Sequence, residues 1–307
     1  MAVYQQTVAV VIPCLDEEAT IGRVVDDFRA QLPDARIVVY DNASTDDTAA
    51  VAREHGAVVV REPRVGKGYV VERILDQEDA DFLVMVDGDD TYPAEKVHEL
   101  LACVMDGEAD MAVGARLAEH GEGAFRPLHV LGNNLVRRVV NLVGGAQLSD
   151  ILSGYRAFNR EVARRIPLVS SGFEVEVELT MQMLYFRRRI VEVNVPYRDR
   201  PAGSVSKLHT VRDGALVLWK IFSLFRAFKP LTFFGTVGAA FFVAGLAAGI
   251  PPIQDYFTDP NHYVHHVPLA ILATGLMLLS AGSVALGLLL HAINWRLKEL
   301  HSVLVRR

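Results

Sequence analysis

Three short acidic segments have the residue types and spacing to handle a charged ligand. They are Pro13-Cys14-Leu15-Asp16-Glu17, Asp41-Asn42-Ala43-Ser44-Thr45-Asp46 and Asp87-Gly88-Asp89-Asp90, and each closes an apolar run. Carboxylates gathered in one place repel each other, so a cation or a set of hydrogen-bond donors must lie between them. A hard divalent ion shared with a phosphate is the economical solution, because such ions combine one or two carboxylates with substrate phosphate oxygens. An isolated Asp-x-Asp is a weak signal. The same triplet behind a hydrophobic strand, with two more acidic strand ends upstream, is a strong one.

The elements needed to bring these segments together are visible in the hydrophobic pattern. Apolar runs at 8–13, 36–41, 58–61, 82–87 and 111–115 alternate with helical periodicity at 18–32, 45–55, 66–76 and 93–105. Near-continuous Val/Ile strands separated by helices predict an α/β fold, a mostly parallel sheet with helices on both faces. Ligands of such sheets bind beyond the carboxyl ends of the strands, where the acids fall.

The chain has 307 residues, 51% hydrophobic and 22% charged, with scattered Gly and Pro. That excludes a disordered, collagenous or disulfide-stapled chain. Cys14 and Cys103 are far apart in sequence, which favours a reducing compartment over a structural disulfide. The net charge of −6 divides into −9 over residues 1–212 and +3 over 213–307. An acidic body with a basic, apolar tail argues against nucleic acid and for a membrane partner. Two charge-free apolar runs, 231–250 and 267–290, each have about the 20 residues needed to cross a bilayer. Lys220, Arg226 and Lys229 precede the first run, Arg296, Lys298, Arg306 and Arg307 follow the second, and the connector 251–266 has no Lys or Arg. The positive-inside rule then predicts a multi-pass cell-membrane protein with its N-terminal domain and C-terminal tail cytoplasmic. Residues 211–229 read as an interfacial helix, with Trp219, Phe222, Phe225 and Phe228 on its apolar face. The N-terminus lacks the basic flank of a signal peptide. The expected organisation is a domain over 1–210, an amphipathic helix over 211–230 and a two-span hairpin with its tail over 231–307.

Residues 7–212 closely resemble the family-two GT-A glycosyltransferases, in particular their polyprenyl-phosphate (dolichyl-phosphate) hexosyltransferase branch. Pro13–Glu17 is similar to that family's P-x-Y-N-E opening, and Asp41–Asp46 to its D-D-G-S-x-D turn. Asp87-Gly88-Asp89 is similar to its metal-binding D-x-D. Ser153-Gly154-Tyr155-Arg156, behind Asp150, is similar to its S-G-F-R segment, and Arg200, Ser204 and Lys207 to the basic stretch that holds phosphates near the membrane. Leu15, Asp16 and Asn42 depart from the usual residues, and Thr91 stands where some mannosyltransferases have Gln, so the donor sugar cannot be carried across.

The resemblance implies a GT-A (Rossmann-like) fold and inverting transfer of one sugar from a UDP- or GDP-linked donor to polyprenyl phosphate. Asp41 and Glu17 are expected on the nucleoside, with Pro13 and Asn42 in the same donor-binding segments. Asp87 and Asp89 are expected to hold Mg²⁺ or Mn²⁺ at the diphosphate, with Gly88 permitting close backbone approach. Lys67 and Arg156 are expected at phosphates, Asp150, Glu174 and Glu176 near the acceptor, and Arg200, Ser204 and Lys207 on the acceptor phosphate. A lipid phosphate is already anionic, so the acids near it are expected to orient it rather than act as a strict base. A homo-oligomer is compatible with the sequence. The alternatives are a family-two enzyme extending a polysaccharide or glycolipid, and a catalytically silent, membrane-tethered nucleotide-sugar binding protein.

Overall fold

The computed structural model describes residues 6–116, 127–198, 219 and 221–305. It forms two units, Met1–Ile221 and Phe222–Arg307.

In the first unit, strands β1 (Val8–Cys14), β2 (Arg36–Asp41), β3 (Val58–Arg61) and β4 (Phe82–Met85) alternate with helices α1 (Ile21–Gln31), α2 (Thr48–Glu54) and α3 (Lys67–Gln77). After β4 come α4 (Val97–Met105), β5 (Met111–Arg116), α5 (Pro127–Gly144), β6 (Arg156–Asn159), α6 (Arg160–Ala163), α7 (Val175–Tyr185) and β7 (Ile190–Val195). The sheet order is β3-β2-β1-β4-β6-β5-β7. Every pairing is parallel except those of β6, which runs antiparallel to β4 and β5.

The expected layering is present. Val10, Ile12 and Cys14 of β1 face one core with Val24, Val25 and Phe28 of α1 and Leu100, Leu101 and Val104 of α4. The alternate residues Ala9 and Val11 face the other core with Val70, Val71 and Ile74 of α3 and Leu179 and Met183 of α7. Both faces of β1 are therefore dry, which is why its sequence is a continuous apolar run rather than an alternating one. The chain leaves β1 toward β2 on one side and later returns to β4 on the other. The carboxyl ends of β1 and β4 thus flank a topological switch point, where a crevice opens in such sheets. β4 ends at Met85, so Asp87 belongs to the loop rather than to the strand.

In the second unit a helical segment at 222–228 leads into α8 (Pro230–Thr258), followed by α9 (Val267–Val305). α8 and α9 are long and apolar enough to be candidate membrane spans, and their most apolar windows are only 11% and 6% buried. They pack antiparallel through small residues. Gly238 lies against Val284 and the Ser280 carbonyl, Gly245 against Leu276, and Gly287 against Phe234. The connector is shorter than the expected 251–266, because α8 continues through Pro251 and Pro252 to Thr258. Of the expected interfacial aromatics, Phe222 and Phe225 pack edge-on against Phe233 of α8.

Candidate active site

The loops after β1 and β2 interlock. Asp16 adopts a left-handed conformation (φ 48°) and its Oδ1 accepts from Thr45 N (2.7 Å) and Oγ1 (3.1 Å). Asp16 N donates to Ser44 Oγ (3.0 Å), and Glu17 N to Thr48 Oγ1 (2.8 Å). Asp tolerates this backbone region better than most residues, so the departure at position 16 suits the turn. Asp41 is 6% exposed and its Oδ1 accepts from Ser44 N (3.0 Å). Pro13 is buried within β1, paired with Tyr40. The Asn42 amide donates to the carbonyls of Glu62 (3.3 Å) and Arg64 (2.7 Å), and its Oδ1 accepts from Gly66 N (2.7 Å). It fastens the 62–66 loop to β2.

The loop after β4 sits across from these turns. Thr20 Oγ1 donates to Gly88 O (2.7 Å), and a Cβ on Gly88 would stand 2.5 Å from Cys14 Sγ. Only glycine fits this approach of backbone to sulfur. Asp89 is 3% exposed and its Oδ1 accepts from Thr91 Oγ1 (2.6 Å). Asp90 turns away to pair with Arg23 (3.1 Å). Convergence of the three strand ends registers on Cys14. Its thiol is pushed well up, by burial first and then by the negative charges of Glu17, Asp87, Asp41 and Asp89. Thiols held up in this way are inert; Cys14 fills space.

Lys67 of α3 reaches this acidic edge. Lys67 Nζ lies 2.5 Å from Asp87 Oδ1 and 2.6 Å from Glu176 Oε1, with the Phe173 ring centroid 6.0 Å away. Burial acts to lower its pKa, but the two carboxylates outweigh that and hold the ammonium well above its ordinary range.

Asp150 lies under a bidentate guanidinium: Arg116 Nε to Oδ2 is 2.6 Å and Nη2 to Oδ1 is 2.9 Å. Burial acts to raise its carboxyl, yet the Arg116 hydrogen bonds and charge keep it below the ordinary carboxylate range. The Asp150 amide donates to Glu192 Oε1 (2.8 Å), and Arg116 stacks over Tyr197 (5.4 Å). Arg116 and Glu192 were not singled out in the sequence. Arg116 directly ends β5, so reading the 111–115 run one residue further would have found it.

Arg156 corrects an expectation. It is fully buried, and all five N–H groups have partners inside the protein. These are Ser153 O (2.9 Å), Thr180 Oγ1 (2.9 Å), Met111 Sδ (3.6 Å), Ile151 O (2.7 Å) and Glu176 O (3.2 Å). No donor remains for a phosphate. Arg200, Ser204 and Lys207 lie outside the described residues.

Among the described residues, no three His, Cys, Asp or Glu side chains form a cage able to hold a metal ion alone. The donor set suits an ion that takes the rest of its shell from a substrate. Asp87 and Asp89 offer hard oxygens at the crevice, and Lys67 neutralises only one side of the acidic edge.

A mixed sheet of this order, with acids gathered at its switch point, is a fold of GT-A type. The model of Glycosyl transferase family 2 matches residues 9–166, and the chain belongs to that family. It is 34% identical over 244 residues to the glycosyltransferase AglJ of Haloferax volcanii, covering 79% of this chain and 80% of the relative. It is 34% identical over 211 residues to a dolichyl-phosphate hexose transferase of the same organism, covering 68% and 90%. Among solved structures, glucosyl-3-phosphoglycerate synthase from Mycobacterium tuberculosis in complex with Mn²⁺ and uridine-diphosphate-glucose superimposes with a TM-score of 0.57. That match has 26% identity and covers 70% of this chain and 79% of the other.

Proposed function

We propose that this enzyme transfers a single sugar from a nucleotide diphosphate donor to a polyprenyl phosphate at the cytoplasmic face of a membrane. One observation carries the reading: a family-two transfer domain shares its chain with two long, exposed, apolar helices. A soluble acceptor would need no such anchor. An acceptor confined to the bilayer gains effective concentration from it. The dolichyl-phosphate hexose transferase relative supports a lipid phosphate acceptor. The basic flanks of the helices and a connector without Lys or Arg support the cytoplasmic orientation.

In this reading Asp41 and Glu17 accept hydrogen bonds from the nucleoside, and Lys67 binds the diphosphate. Asp87 and Asp89 hold a divalent cation, which when bound neutralises the leaving diphosphate. The Mn²⁺ complex of the solved neighbour supports that assignment. An oxygen of the lipid phosphate attacks the anomeric carbon, and the bond to the diphosphate oxygen breaks with inversion. The products are a polyprenyl phosphosugar and a nucleoside diphosphate. The nucleophile enters as an anion, so no side chain has to remove a proton. Asp150, held ionised by Arg116, orients the acceptor side, and Arg200, Ser204 and Lys207 are assigned to the acceptor phosphate.

The test supplies membranes carrying the full chain with polyprenyl phosphate and a panel of labelled UDP- and GDP-sugars. Label should enter a mild-acid-labile lipid, disappear with chelator and return with Mg²⁺ or Mn²⁺. Asp89→Asn should lower the rate by about 10²–10³-fold, the scale of losing one charge-stabilising group at the reacting centre. Label found only in polymer would overturn the acceptor. Full activity of Asp89→Asn would overturn the metal site.

A further inference from the structure

Helix α7 opens with Val175-Glu176-Val177-Glu178, and both glutamates are buried, at 4% and 1% exposure. Carboxylates are almost never buried this deeply unless they hold something in place. Glu178 Oε2 accepts from Val169 N (3.1 Å) and Ser170 N (2.7 Å), which fixes the segment before the helix. That segment in turn grips the start of α3, because Ser171 O accepts from Gly68 N (3.0 Å). The contact is too close for any side chain. A Cβ on Gly68 would stand 1.9 Å from Ser170 O, and one on Gly66 (φ 141°) would stand 2.1 Å from Ser171 O. The backbone of Lys67 is thus clamped on both sides. Its ammonium is shared between Asp87 on the crevice side and Glu176 on the α7 side.

We propose that Glu176 is a positioning residue for Lys67, keeping its ammonium at the diphosphate subsite when the donor and its cation engage Asp87. The inference rests on the donor site proposed above and deepens it. An ammonium has three N–H donors, and Asp87 and Glu176 take two of them. Among the described residues no other carboxylate pairs with it, so the third can meet a phosphate oxygen. With Asp87 as its sole partner, Lys67 would compete with the incoming cation for that carboxylate. Glu176 gives it a second anionic partner that no cation claims. The Glu176 backbone is anchored: its carbonyl accepts from Arg156 Nη2 (3.2 Å) and Thr180 Oγ1 (2.9 Å).

The experiment is a double-mutant cycle on the detergent-solubilised full chain, using Glu176→Gln, Lys67→Met and the pair. UDP and GDP are titrated calorimetrically, once in chelator and once with Mn²⁺. Glu176→Gln should weaken the bound nucleotide by about 10-fold with Mn²⁺ present and less in chelator, where Asp87 still holds Lys67, within the range of coupled neighbours. It should also raise the Mn²⁺ concentration needed for half-maximal nucleotide binding. In the Lys67→Met background the same substitution should change affinity less than about 2-fold. Equal losses in both backgrounds, or no loss in Glu176→Gln, would overturn the proposal. Melting temperatures check folding, and Glu176→Asp, one methylene shorter, is read in the same cycle if the Gln variant does not fold. A wild-type chain that binds neither nucleotide with Mn²⁺ would remove the donor site itself. Binding without coupling would remove only the role of Glu176.

Discussion

Gly154 and Asp87 are packed so closely that no side chain fits between them: a Cβ on Gly154 would stand 2.2 Å from Asp87 Oδ2. The antiparallel register explains the contact. Met85 pairs with Arg156, so two residues beyond the end of β4 the chain meets position 154. Gly154→Ala must push the Asp87 carboxylate off Lys67. Displacing a reacting-site group by about 1 Å costs on the order of 10²-fold in rate, and that loss is expected in the transfer assay. The melting temperature should change little, since the Asp87 side chain is 26% exposed and free to swing outward. Wild-type turnover in Gly154→Ala would show that Asp87 has no part in the reaction.

Arg156 is expected to matter for folding and not for phosphate. Replacing it by Met strands the carbonyls of Ser153 and Ile151, which accept from it inside the protein. Each buried acceptor left without a donor costs about 1–3 kcal/mol, so Arg156→Met should lose at least about 2 kcal/mol of stability in urea titration. Arg156→Lys should rescue only part of this, because an ammonium cannot reproduce the planar fork. Nucleotide affinity of the folded fraction should stay within about 2-fold of wild type. A large loss of affinity with unchanged stability would return Arg156 to the phosphates.

The first half of the sheet was legible because β1, β2 and β4 are buried on both faces. Their Val/Ile runs end where the site acids begin, so strand and site were found by the same signal. β6 and β7 were not read in advance. Arg156 opens β6 with a charged residue, and the half-buried β7 carries Glu192 among its valines. Neither makes the long apolar run that marks a central strand. The acids at 17, 41, 87 and 89 were found because they follow strands. Glu176 was legible as an acid of the site but not as the partner of Lys67, since it comes from a helix, and Arg116, at the end of β5, was not read as the partner of Asp150. Pairings of that kind depend on tertiary contact and leave no local spacing. Arg156 failed in the opposite sense: an Arg beside a site motif looks like a phosphate ligand until its burial is known.

The α8–α9 contact should depend on which glycine is enlarged. A Cβ on Gly238 would lie 2.9 Å from Val284 Cγ2 and 3.1 Å from Ser280 O, whereas one on Gly275 meets nothing within 4 Å. Gly238→Leu should therefore separate the helices and cost about 1–3 kcal/mol, the range for overpacking. Gly275→Leu should be near neutral. Thermal unfolding of the full chain in detergent distinguishes them, and equal shifts in the two variants would refute the packing.

The Asp150–Arg116 pair sets a direction for acid sensitivity. The Asp150 carboxyl is held below its ordinary range in the folded chain and returns to about 3.9 when the chain unfolds. A lowered folded value means the unfolded state binds the proton more readily. The pair's contribution is therefore fully present above the unfolded value and is lost as pH falls through the folded one. Between pH 8 and 5, Asp150→Asn should unfold at a lower temperature than wild type by a constant margin. Below about pH 4 the margin should narrow, because the wild-type carboxylate is then being protonated. A margin that widened on acidification would mean that the native carboxyl is raised and that Arg116 does not govern it. The same direction bears on catalysis. A carboxylate ionised throughout the neutral range contributes no limb to the rate–pH profile there, so a limb near pH 6–7 must come from another group or from the acceptor phosphate.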